Sequence, residues 1–106
     1  MTIKEAKSLV LREGISDNGT APEDALFIML HRGYPLDHEQ VHRLIEAVDT
    51  VHKAIKGEAI LDRRLAGAMW TLGVEANRCL QDEWLPAEQD DLTALFYALE
   101  RAVHDY

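Results

Sequence analysis

A single cysteine, Cys79, in a chain of 106 residues leaves no partner for an intramolecular disulfide and too few thiolates for a cysteine-based zinc cage. It falls within an apolar helical pattern, as a small core residue does. No apolar run approaches the length that a bilayer span needs, and the opening MTIKEAKSLV carries charge where a signal peptide has its apolar stretch. The expectation is a cytoplasmic protein without membrane contact. No glycine-rich phosphate loop occurs, and neither Ser8 nor Ser16 has a nucleophile motif around it. Positive charge is also scarce: 11 Lys and Arg face 19 Asp and Glu, and the net charge of −8 opposes nucleic acid and steers in a basic partner.

What the chain does have is helical periodicity. Hydrophobic content of 47% suffices for one core, and 106 residues make one domain, 1–106. Apolar residues recur at three- and four-residue spacing, and no segment alternates with period two for long. The fold class expected is all-α, a compact bundle of about five helices with an up-down-up core from the last three. The first helix covers Ile3 to Glu13, with Thr2 as N-cap and Gly14 ending it in the left-handed conformation. After the loop SDNGTAP, a capping box of Thr20 and Glu23 opens a second helix, Ala21 to Arg32, which stops at Gly33.

Asp37 and Gln40 resemble another capping box, and Val41, Leu44, Ile45, Val48, His52 and Ile55 share one face of a third helix ending at Gly57. Leu61, Leu65, Ala68, Met69, Leu72, Ala76, Cys79 and Leu80 form the stripe of a fourth helix reaching Trp84, and Pro86 forces a new start. Leu92, Leu95, Phe96, Leu99 and Val103 define the fifth. Short connections make helices three, four and five antiparallel neighbours. Helix four carries a second apolar surface of Ala66, Trp70, Gly73 and Val74, which the two N-terminal helices are expected to cover, with Gly67 and Gly73 allowing close approach. Left uncovered, Trp70, Gly73 and Val74 become a homodimer or partner surface.

The stretch DHEQVH contains H-E-x-x-H, which in zinc proteases puts two histidines on a metal with a glutamate as base. That chemistry needs the motif mid-helix and a third protein ligand. Here Asp37 caps the helix, leaving His38 in its first turn, and Ile45 and Val48 stand where a metzincin has glycine and a third histidine. Glu58 lies about 25 Å along the helix from the pair, and Glu75 has no supporting motif. Glu39 and His42 also form a Glu-x-x-His pair, half of a di-iron bundle site, echoed only by Asp49 and His52. The reading is therefore no cofactor, no metal and no enzyme activity, with His38 and His42 as the ligands should a metal bind.

The segment VHKAIKG resembles the active helix of histidine phosphotransfer domains, which carry a His-x-Leu-Lys-Gly pattern on helical bundles of about this length. The resemblance covers about a dozen residues and implies His52 as phosphoacceptor and Lys56 as a phosphate-holding group. The spacing is one residue longer here, and the apolar stripe places His52 beside Val48 and Ile55 as a half-buried, hydrogen-bonded side chain. Helices two and three do not read as a DNA-binding pair, because the would-be recognition helix opens with the acidic DHEQ.

Five acids, Asp82, Glu83, Glu88, Asp90 and Asp91, occur without a base among them, and antiparallel packing brings Asp37 and Glu39 to the same end, framed by Trp84 and Tyr34. Lys53, Lys56, Arg63 and Arg64 gather at the other. The function expected is a small acidic protein-binding module, of the bacterial inhibitor or immunity type, that meets a basic protein through Asp82, Glu83, Trp84, Glu88, Asp90, Asp91, Asp37 and Glu39. The alternatives are a metal- or phosphate-handling bundle and a structural homo-oligomer.

Overall fold

Thr2 opens the first helix, α1 (Ile3–Gly14), by a reciprocal capping box: its hydroxyl accepts from the Glu5 N–H at 3.1 Å, and its own N–H donates back to the Glu5 carboxylate at 3.4 Å. The computed structural model describes residues 1–14, 23–56, 63–80 and 86–104, without the side chains of 86, 87, 103 and 104. The expected SDNGTAP loop, Thr20, the helix end at Gly57, the helix start at Leu61, and Asp82, Glu83 and Trp84 lie outside the described residues. Within them the chain is all-α: α1, α2 (Leu26–Arg32), α3 (His38–Ile55), α4 (Arg63–Leu80) and α5 (Pro86–His104). None of these helices is long and apolar enough to cross a membrane.

Two helix ends depart from the sequence reading, each for a tertiary reason. Gly14 belongs to α1 itself, and Gly33 is the one glycine with positive φ among those described. A Cβ on Gly14 would stand 2.6 Å from the Ala68 carbonyl oxygen and 2.8 Å from Leu72, so glycine is there to let α1 cross α4 closely. The second helix starts at Leu26, with Glu23 and Asp24 in a turn before it. No side chain of its own N-cap, Ala25, bonds its first turn. Instead the buried carboxylate of Glu13 on α1 accepts from the Leu26 N–H at 2.7 Å, a cap supplied from across the fold. Gly33 ends α2 as expected, in the left-handed conformation.

The predicted stripes of α3, α4 and α5 are the core: Leu44, Val48 and Ile55, Leu65, Met69 and Leu72, and Leu92, Leu95 and Leu99 are all within 2% of complete burial. Ala6, Ala47, Ala68, Ala76, Ala98 and Ala102 are fully buried, and such small residues bring helix axes close. A radius of gyration of 12.9 Å matches the ~13 Å of a compact domain of about 100 residues.

Packing pairs run α1 on α3, α3 on α5, α5 on α4 and α4 on α1, with α2 laid across α4 and α1. Thus α5 mediates between α3 and α4, which occupy opposite corners of a four-helix arrangement instead of lying side by side. The N-terminal turn of α3 meets the second turn of α5 through His38 and Asp91, and Arg101 reaches Asp49 further along, so these two helices run in the same direction. The starts of α3 and α5 therefore share one end of the bundle, and Lys53, Lys56, Arg63 and Arg64 are exposed towards the other.

Candidate functional site

Two features stand out on the surface of this bundle, a groove and a histidine–carboxylate cluster. The groove runs between α4 and α5. Its floor is Met69, Phe96 and Leu99, its walls carry Trp70, Val74 and Glu100, and it encloses about 250 Å³. Trp70 is 68% exposed, Val74 44% and Tyr97, beside Phe96 on α5, 54%. The expectation that the N-terminal helices cover this second face of α4 is overturned. Gly14 seats α1 on the Ala68 and Leu72 side, and α2 is held on the Glu75–Cys79 side, where Arg78 donates to the Leu30 carbonyl at 2.9 Å and the Cys79 thiol donates to it at 3.4 Å. Both helices are thereby committed to the far side of α4. Nor does Gly73 serve close packing, since a Cβ there would meet nothing within 4 Å.

The cluster forms where α3 begins. Asp37 caps that helix, its carboxylate accepting from the Glu39 N–H at 3.0 Å. Gln40 does not complete a box; its amide donates to Glu13 and to the Asp24 carbonyl, both at 2.7 Å. With the first turn fixed, His38 and His42 are one turn apart on one face, ring centroids 3.9 Å from each other. Both point at Asp91 of α5. His38 Nδ1 lies 2.9 Å from each of its carboxylate oxygens, and His42 Nε2 lies 3.3 Å from Oδ1. The two imidazoles are exposed, while Asp91 is only 7% exposed.

The acids expected to present charge at this end divide accordingly. Asp91 is buried and held by the two histidines, and Glu88 is half-buried, accepting from the Leu36 N–H at 3.1 Å. Asp37, Glu39 and Asp90 are exposed. His52 is half-buried on α3, as its place in the stripe implies. A more polar cleft of about 500 Å³ opens between α1, α2 and α3, but its Arg12, Glu13, Asp24 and Gln40 are bonded to one another.

The third member of the histidine cluster was missed by sequence reasoning, which assigned Asp91 to the acidic partner-binding end. Its only sequence signal is its place next to Leu92 on the inner face of α5. Compared with known protein families, with curated proteins and with solved structures, the chain matches none.

Proposed function

We propose that the protein is a small binding module for a basic protein partner, which it grips at the α4–α5 groove. The observation that carries this reading is Trp70, a large apolar side chain 68% exposed beside Val74 and a ready-made groove. Aromatic anchors that fill or flank such grooves dominate binding energies, and an uncovered apolar face on a helix costs solubility unless something uses it. Charge selects the partner. The chain carries −8, and Glu100 stands on the groove wall. A basic segment in the groove meets both the apolar anchor and this acid, whereas a second copy of the chain meets like charge. The role fits occlusion of a larger basic protein, in the manner of an inhibitor or immunity-type protein.

The test is affinity capture from native lysate with wild-type and Trp70→Ala baits, washed at low and high salt. The expected result is a basic protein held by the wild type at low salt, released at high salt, and bound about 30-fold more weakly by Trp70→Ala, a loss of about 2 kcal/mol. Equal retention by both baits, or a retained partner that is acidic, overturns the reading.

A further inference from the structure

The histidine–carboxylate cluster is independent of that groove and points to a different ligand. We propose that His38, His42 and Asp91 bind one divalent transition-metal ion of the zinc class, which clasps the start of α3 to the start of α5.

Around a four-coordinate ion with bonds of about 2.0–2.1 Å, ligand atoms stand about 3.3 Å from one another. The two nitrogen-to-carboxylate separations are 2.9 and 3.3 Å, and one ligand atom from each residue falls within 4.8 Å of the others. The remaining closure is between two imidazoles on exposed side chains one helical turn apart, and rotation about their side-chain bonds supplies it.

A carboxylate taken out of water needs full compensation. Asp91 is 7% exposed, and the partners placed around it are two imidazoles, each of which in its neutral form offers one N–H. A dication bound by the same three groups neutralises the carboxylate and takes up the nitrogen lone pairs. Two nitrogens and one oxygen select zinc, nickel, cobalt or copper over calcium and magnesium, which prefer all-oxygen shells. The exposed side of the cluster leaves further coordination positions to water.

Asp37 locks the first turn of α3, so His38 does not fray away from His42, and α3 and α5 run parallel, so Asp91 faces the pair at one end of the bundle. Exposed Asp37, Glu39 and Asp90 surround that end with negative charge and raise the local concentration of cations. The histidine pair arises from spacing alone; the third ligand comes from a helix 53 residues along the chain.

The experiment uses the full chain without a polyhistidine tag, freed of metal by a chelator and titrated with zinc by calorimetry, and with cobalt for the visible bands of a low-symmetry site. One zinc per chain is expected, with a dissociation constant below about 10 µM. His38→Ala, His42→Ala and Asp91→Asn should each weaken it by more than the roughly 10–100-fold that loss of an outer-sphere partner costs. Amide spectra give a second readout: zinc should shift the Asp90, Asp91 and Leu92 amides together with those of His38 and His42. Absence of saturable binding overturns the proposal. So does wild-type affinity in a folded Asp91→Asn protein, or a shift confined to α3, because either marks a two-histidine surface chelate only. Should Asp91→Asn fail to fold, the exposed His38→Ala and His42→Ala variants and the α5 amide shifts decide the matter.

Discussion

Glu13 shows how one side chain can set the position of three helices. It is 2% exposed, and its carboxylate accepts from the Leu26 N–H that opens α2, from the Gln40 amide on α3 and from Arg12 beside it. Removing it leaves a buried N–H without an acceptor as well as an empty space, so Glu13→Ala should cost about 3 kcal/mol in urea unfolding. Glu13→Gln, which still offers one acceptor oxygen, should cost less than half of that. A loss below about 0.5 kcal/mol for Glu13→Ala would mean that water replaces the cap. Glu5 makes a smaller but pH-dependent contribution. The Thr2 side chain, then the Thr2 backbone, hydrogen-bonds its carboxylate and lowers its pKa from the ordinary 4.5. A group whose pKa is depressed in the folded state adds stability above its unfolded pKa and loses it as pH falls through the folded one. Fraying of α1, followed by the exchange of its first amides, should therefore increase below about pH 4.5, and Glu5→Gln should abolish that pH dependence. An identical acid response in the variant would assign the fraying to another group.

At the level of the helix, glycines separate what periodicity reveals from what it hides. Gly14→Ala forces a Cβ to within 2.6 Å of a backbone oxygen on α4, which cannot yield as a side-chain tip would, and should cost about 1–3 kcal/mol. Gly73→Ala meets nothing and should stabilise α4 by up to about 1 kcal/mol through helix propensity alone. Thermal unfolding of the two variants tests both signs, and a destabilised Gly73→Ala would require a contact on the open face of α4. The sequence pointed at Gly73 for close packing and at Gly14 for a chain reversal, because nothing local distinguishes a glycine that turns from one that is crossed. The helices themselves were legible, since burial imposes a period of 3.6 on Leu65, Met69, Leu72 and Ala76 whatever the neighbour is. Which helices become neighbours was legible only in part: α4 packs on α5 as expected, but α3 does not pack on α4. The order of packing, with α3 and α4 at opposite corners, depends on how α1 wedges in through Gly14. His38 and His42 could be seen as a pair and Asp91 placed at the same end of the bundle, but that Asp91 turns inward onto the two imidazoles follows only from the direct packing of α3 on α5.

For the molecule as a whole, two long-range effects oppose each other on one surface. The groove and its exposed Trp70 and Val74 favour burial against another protein, and a second copy is always at hand. Net charge of −8 on each chain opposes that encounter, and the opposition is electrostatic, so its range follows ionic strength. At physiological salt the screening length is about 8 Å and repulsion between two copies survives across a groove-to-groove contact; at 1 M it is about 3 Å and little repulsion remains. The protein should therefore sediment as a monomer at low and physiological salt and begin to self-associate as salt rises. Trp70→Ser should remain monomeric throughout, because it removes the apolar side of the balance while leaving the charge untouched. A dimer that persists at low salt would show that contact energy at the groove exceeds the charge penalty, and would put a second copy of this chain where the basic partner is proposed to bind.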